Sequence, residues 1–508
     1  MMVWDILVTS SPALVLAVPL LFAFLIALLG RFFERHVKVL FASALIITSF
    51  FVGLMAFEVL TAESWMYVFG AETPSPQNGT SFFRIIFLAD GFSVLATITI
   101  AIIAVVAGIY SYGYMKNETA LNKFYSLFLL TWVGINGMVL TNDLFNMFVW
   151  FEVTTMASCG LIAFQNYREN SIEAALKYLL LSVVGGLVFL FSIGLLYGQH
   201  GVLNLTLLSQ QITGTFNDRL AVGLIIVVFA MKSSSVPFHF WTPDVYGESP
   251  GPIFPYMAVT TMGFLFALFR LLVGGFVGGV SPQIVGMIVM LLGIISMVVG
   301  VMMAFAQRDL RKLLAYLSIS QIGYIMLAVG IGIATLNTVS FEEFGSLAMT
   351  SGLFHMINDM IYKSLLFLTI VSIVHVTGIR NREELSGLVY KSPYLSLFFL
   401  LGALSISGVP PFAGFYSKFL IYKSTFLFHP LMGLFATIMS IIILVIMAKL
   451  FSQVFLGSKE DSFDQHIPKS MFLGMTILAA LVILFSLMPH VIVSEIITPA
   501  VESLTASF

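Results

Sequence analysis

Five ionisable residues lie deep within apolar stretches of this 508-residue chain: Glu152, Lys232, Asp359, Lys363 and Lys418. Lys232 is followed at once by Ser233-Ser234-Ser235-Val236-Pro237-Phe238-His239, at the end of the apolar run 220–230. A lysine at membrane depth costs about 2.5–3.5 kcal/mol on insertion scales, so it needs partners. Proline interrupts a helix, and neighbouring hydroxyls can serve the freed backbone groups. A broken helix beside a buried lysine is how membrane proteins build ion pathways. The plainer alternative is a lysine that snorkels to the headgroups.

A second set, His355, Asp359 and Lys363, has i, i+4, i+8 spacing and so shares one helix face. Histidine titrates near neutral pH and suits a proton relay. Against this stands a self-neutralising Asp359–Lys363 pair. His375 extends the same line. Glu152, in Trp150-Phe151-Glu152-Val153-Thr154-Thr155, is a natural counter-ion for Lys232, either as a permanent pair or as a switchable one. His239 and Lys418 complete the candidate ion-translocating set.

The elements that must position these groups are membrane helices. The chain is 59% hydrophobic and 9% charged, against about 25% charged residues in soluble domains. Apolar runs of about 20 residues recur throughout. The expected fold is an all-α polytopic membrane protein with about fourteen transmembrane helices. Their approximate extents are 12–30, 37–60, 86–112, 124–141, 144–165, 174–197, 219–240, 252–274, 283–305, 313–334, 346–376, 393–425, 431–455 and 471–491. Residues 1–30 lack a basic leader and cleavage site, so 12–30 reads as a retained first span. This count puts fifteen lysines and arginines in one set of loops. The other set holds four: Arg84, Arg219, Arg270 and Lys423. That split supports a cell-membrane protein with both termini on the outer side. Lys232, Lys363, Lys418 and Lys449 remain within spans.

The chain also echoes itself. Ser405-Ile406-Ser407-Gly408-Val409-Pro410-Pro411-Phe412 repeats the serines and Val-Pro break of residues 233–238, with Lys418 close by. The breaks at Pro237 and at Pro410 and Pro411 fall in helices 7 and 12. Each is the fourth of five helices, so the expectation is two inverted five-helix repeats with broken helices 7 and 12. The expected divisions are 1–120 (helices 1–3), 121–275 (first repeat, helices 4–8), 276–456 (second repeat, helices 9–13) and 457–508 (helix 14). Chance similarity is the competing reading.

Several classes are disfavoured. Net charge of -2 gives nucleic-acid binding no electrostatic basis. The single cysteine, Cys159, excludes an intrachain disulfide and a Cys-only cluster. The sequence shows no Walker, Rossmann or haem pattern. No cofactor is expected in this chain, and any redox chemistry lies in a partner. Asn78-Gly79-Thr80 matches a glycosylation sequon, a weak signal.

Seven stretches together resemble the antiporter-like membrane subunits shared by respiratory complex I, Mrp-type Na⁺/H⁺ antiporters and membrane-bound hydrogenases. They are 142–152, 175–181, 232–244, 308–316, 318–324, 355–358 and 408–418. The resemblance implies fourteen helices, inverted repeats and a polar axis at the membrane midplane. It matches Glu152 to the family's helix 5 glutamate, Lys232 to the helix 7 lysine and His355 to a helix 11 axis histidine. Lys418 matches the helix 12 position, where lysine favours the Mrp D-like branch. The family's usual basic residue in helix 8 is absent, with Met262 near that place. Thr260, Thr261, Tyr256 or water would have to bridge the gap. Asp359 stands where relatives often carry histidine.

The function so implied is H⁺ or Na⁺ translocation within a multi-subunit membrane complex. The leading parent is a redox-driven membrane-bound hydrogenase or ferredoxin-linked oxidoreductase, with iron–sulfur or NiFe centres in partner subunits. The alternatives are a D-type component of an Mrp-type secondary Na⁺/H⁺ antiporter, a non-conducting scaffold subunit, and a stand-alone solute carrier.

Overall fold

The computed structural model describes residues 2–30, 32–61, 64–69, 85–276, 279–457 and 466–506. The sequon at 78–80, Arg31, Arg84 and Lys459 lie outside the described residues. The helices are α1 (Met2–Thr9), α2 (Ser11–Leu29), α3 (Glu34–Thr61), α4 (Gly91–Tyr114), α5 (Leu121–Leu140), α6 (Leu144–Ile162) and α7 (Glu169–His200). There follow α8 (Leu205–Gln211), α9 (Phe216–Lys232), α10 (Thr242–Glu248), α11 (Ile253–Phe269), α12 (Pro282–Ala306), α13 (Leu310–Thr335) and α14 (Ser346–Thr377). The last are α15 (Leu388–Lys391), α16 (Pro393–Ser407), α17 (Ala413–Phe428), α18 (Pro430–Phe455), α19 (Lys469–Leu487), α20 (Pro489–Ile492) and α21 (Thr498–Thr505).

Among the described residues, twelve helices are long and apolar enough to cross a membrane. The predicted spans 7 and 12 are the ones that fall outside this set, because each is cut in two. Span 7 is cut after α9, and its remainder, 233–240, forms the turn that leads to α10, while span 12 becomes α16 and α17.

The two cuts share a hydrogen-bond pattern. At the first, the Ser235 N–H donates to the Ala230 carbonyl and the Ser234 N–H to the Met231 carbonyl. At the second, the Val409 N–H donates to Leu404 and the Gly408 N–H to Ser405. Both helices thus end with the wide and narrow loops of a Schellman cap. The left-handed residue is Ser234 at φ 65° in one and Gly408 at φ 71° in the other. These bonds align Ser234 with Gly408, and therefore Pro237 with Pro411. The Val-Pro match read from the sequence is one residue out of register with the structure.

Two other expectations change. The third span starts at Gly91, because residues Ile86–Ala89 pair antiparallel with Trp65–Val68 as a two-stranded ribbon. Asp90 caps α4 by accepting from the Ser93 N–H at 2.8 Å. Arg270, placed in a loop by the charge count, is buried instead. It grips Asp90 with both terminal nitrogens, at 2.6 and 2.7 Å, and donates to Ser93 Oγ at 2.7 Å.

α13 is buried throughout its apolar membrane stretch, whereas α2, α3, α7, α12, α18 and α19 carry exposed leucine, isoleucine and phenylalanine side chains. α12 and α13 meet through glycines seven residues apart: Gly286, Gly293 and Gly300 on one helix, Gly323 and Gly330 on the other. A Cβ added at Gly293 would lie 2.7 Å from the Gly323 carbonyl oxygen. The backbones touch, and no side chain fits between them.

Two ion-pair clusters are expected to differ sharply in weight. Arg270→Ala strands a buried carboxylate, which costs about 3–5 kcal/mol. Asp244→Asn breaks partly exposed contacts to Lys177 and Lys312 at 2.8 and 3.1 Å, worth about 0–1 kcal/mol. Thermal unfolding in detergent should show a large drop for the first and a small one for the second.

Candidate functional site

Lys232 is the last residue of α9, and its side chain is buried. An ammonium has three protons to give. Nζ donates them to Thr155 Oγ1 at 3.0 Å on α6, and to Tyr178 OH at 2.9 Å and Ser182 Oγ at 3.0 Å on α7. The rings of Tyr178, Phe264 and Phe151 lie 4.3, 4.7 and 5.1 Å from Nζ and add cation–π attraction.

Glu152 makes no ion pair with Lys232 within 4.0 Å among the described residues. The expected pair is replaced by the three hydroxyls, which take every proton the ammonium offers. Glu152 lies one turn from Thr155 on α6, on the stripe of the exposed Phe145, Val149 and Met156. Its carboxylate rests against Gly186 of α7, in the space a larger residue's Cβ would need.

Lys418 is treated differently. It stands on α17, after the second break, whereas Lys232 precedes the first. Its Nζ donates to the Ile406 carbonyl at 2.7 Å and to Ser440 Oγ at 3.0 Å, with the Tyr324 ring 4.7 Å away. In the register of the two breaks, Ile406 occupies the place of Lys232. Gly408 is needed here twice over. Its φ is left-handed, and a Cβ would come within 3.0 Å of the lysine stem at Cδ.

α14 carries His355, Asp359 and Lys363, all buried. Asp359 and Lys363 form an ion pair one turn apart. His355 bonds elsewhere. Its Nδ1 pairs with Ser417 Oγ at 2.9 Å, beside Lys418, and its Nε2 with Gln321 Oε1 at 3.2 Å. Tyr362 also reaches Gln321 Oε1, at 3.4 Å. His355, Asp359, Lys363 and Lys418 thus lie on α14 and α17, and the Lys232 series of hydroxyls lies on α6 and α7.

Two predicted members stand apart. His239 sits half-buried in the turn between exposed Pro237 and Phe240. His375 is exposed. With Tyr114, Arg168, Glu248, Arg311 and Arg380 it lines a polar cavity of about 640 Å³ at the helix ends. Lys449 is exposed, over the Phe305 ring at 5.5 Å. Pro237, Pro410 and Pro411 all lie between helices.

The sequence reading missed the side-chain partners of the two lysines, Thr155, Tyr178, Ser182 and Ser440, and those of His355, Gln321 and Ser417. A usable signal existed for one pair. Tyr178 and Ser182, i and i+4 in an apolar run, share a face.

The match to the family model "NADH:quinone oxidoreductase/Mrp antiporter, TM" runs over residues 141–443 and takes in this whole polar series. The chain belongs to that family. A second model, the N-terminus of complex I chain 5, matches residues 78–125. Among curated relatives, NADH-quinone oxidoreductase subunit N of Desulforudis audaxviator is 32% identical, covering 80% of this chain and 78% of its own. A Na(+)/H(+) antiporter subunit of Alkalihalophilus pseudofirmus is 30% identical over 82% of this chain. The chain spans 54% of that relative's length. Two solved assemblies contain chains of the same fold. One is the Mrp complex of Dietzia sp. DQ12-45-1b, with TM-score 0.85, 22% identity, and 98% of each chain covered. The other is a membrane-bound sulfane sulfur reductase described as an archaeal respiratory membrane complex. It has TM-score 0.85 and 24% identity, with 98% of this chain and 99% of that one covered. The protein is therefore a multi-pass, antiporter-like membrane subunit of the ion-translocating, complex I-related class.

Tyr178→Phe keeps the ring beneath Lys232 and removes one acceptor. Leaving one ammonium proton unpaired costs about 1–3 kcal/mol. A fall of several degrees in the unfolding temperature is the expected result, and the same is expected of Thr155→Val.

Proposed function

We propose that this chain carries protons or sodium ions along the series from Lys232 to Lys418, as one membrane subunit of a larger complex. The observation that carries this reading is the pair of buried lysines at two helix breaks. Each sits among neutral oxygen acceptors that can hold or release a proton with little rearrangement. Asp359–Lys363 is the neutralised link between them. His355 joins the series to Lys418 through Ser417.

The two broken helices are proposed to be crossings 7 and 12 of fourteen. Divisions at 1–120, 121–275, 276–456 and 457–508 would then enclose two inverted repeats. The environments of the lysines support this. Lys232 meets α6, α7 and α11, the second, third and fifth helices of the first unit. Lys418 meets α13, α14 (through Ser417) and α18, their counterparts in the second. Both termini would face outward, by the distribution of lysine and arginine in the loops.

The relatives and structural neighbours leave two parents: an Mrp-type secondary antiporter and a redox-driven respiratory complex. In the second case iron–sulfur or nickel–iron centres belong to partner chains. Glu152 supports the presence of a neighbour in either case. A carboxylate on an exposed apolar stripe within a membrane helix is costly against lipid, and a subunit packed there would cover it. The scaffold reading draws on the absence of a basic residue near Met262.

In membrane vesicles containing the complex, Lys232→Ala and Lys418→Ala are each expected to abolish coupled ion translocation while the complex stays assembled. Wild-type translocation in both variants would leave the scaffold reading standing. Gentle-detergent purification identifies the parent. Iron–sulfur or hydrogenase-type chains mean a redox-driven pump, and small Mrp-type membrane chains alone mean a secondary antiporter.

A further inference from the structure

Lys232 meets α11 at Phe264, and α14, which carries Lys363, meets it at Phe254 through Phe367; α11 itself carries no charged group. Of the three hydroxyls on α11, two are turned to other tasks. Tyr256 donates to the Phe128 carbonyl at 3.0 Å and stacks on the Phe128 ring. Thr260 donates back to the Tyr256 carbonyl at 3.0 Å. Thr261 differs. Its hydrogen goes to the Ala258 carbonyl at 2.7 Å, and its oxygen faces the hydroxyl of Tyr246 at 3.4 Å.

Helix geometry places Thr261 within about 60° of Phe264, the α11 ring that touches Lys232. Met262 lies about 160° away from that ring, on another face. Tyr246 comes from α10, the short helix that follows the first break. Its ring packs on Phe254 at 5.4 Å and on Phe367 at 5.7 Å. Phe367 is one turn beyond Lys363 on α14. The Tyr246–Thr261 contact therefore adjoins the Lys232 site through Phe264, one turn along α11 from Thr261, and adjoins the turn of α14 that follows Lys363 through Phe367.

We infer that Tyr246 and Thr261 form the hydroxyl bridge that passes protons between the two lysine clusters, in the place where a charged side chain is missing from α11. The inference rests on the proposed conduction. A hydroxyl relays by exchange: the oxygen takes up one proton as its own hydrogen moves on, so neither residue ends the step charged. The step between this hydroxyl pair and each lysine requires water as the carrier. The break before α10 has a role in this. It turns the chain so that Tyr246 enters from the side instead of continuing the axis of α9.

The test uses vesicles of the whole complex and an acridine dye to read proton movement. Tyr246→Phe keeps the ring against Phe254 and Phe367, and Thr261→Val keeps the shape. Each is expected to lower translocation by about tenfold or more, the scale of a lost proton-transfer group. Thr261→Ser, which keeps the oxygen, is expected to retain it. A packing role would give the reverse order, with Ser impaired and Val tolerated. Tyr256→Phe is expected to have no effect. Full translocation in Tyr246→Phe and Thr261→Val, with Lys232→Ala and Lys418→Ala inactive, overturns the bridge and leaves the conduction reading intact. Full translocation in all four overturns both.

Discussion

Every feature of the polar series follows from the cost of holding an ammonium away from water. Burying a lysine is tolerable only when its ammonium finds acceptors at close range. The chain solves this in three ways. Lys232 is held by three side-chain hydroxyls, Lys363 by a carboxylate, and Lys418 by a main-chain carbonyl and a serine. The third solution explains why a helix must break. Within an intact helix the Ile406 carbonyl would be taken by the N–H of residue 410, and residue 410 is proline. The sequence thus spends a proline and a left-handed glycine to free one oxygen for one lysine.

The two breaks are alike in backbone and unlike in side chains. The same cap closes both, yet one lysine precedes its break and the other follows it. The first lysine hangs from the end of a helix and reaches into a ring of hydroxyls. The second reaches back from the following helix to the carbonyl its break exposes. A shared backbone frame with separately recruited side chains accounts for the blurred echo in the sequence, where serines and prolines align and the lysines do not.

Much of this is legible in the sequence. Apolar runs of the right length locate the helices, because lipid leaves few other options. The prolines mark both breaks, because no neighbour can replace the missing N–H. The i, i+4, i+8 spacing of His355, Asp359 and Lys363 places them on one buried face. What fails are choices between partners. Glu152 and Lys232 have opposite charges, but Glu152 lies one turn along α6 from Thr155, the residue Lys232 meets, and hydroxyls lie nearer. Arg270 looks like a loop residue because its partner, Asp90, is far away in the chain. Tyr246 carries no signal at all. Its place depends on the angle at which the chain leaves the first break, a tertiary property.

The glycine seam between α12 and α13 bears on how such a molecule can move. Where backbones touch through glycines seven residues apart, a slip of one or two residues drives a side chain into main chain. The next permitted register lies a whole heptad away, about 10.5 Å along the axis. The two helices are keyed like a shaft in its collar. Since α13 also supplies Gln321 and Tyr324 to the cluster around His355 and Lys418, that side of the cluster keeps its register with α12.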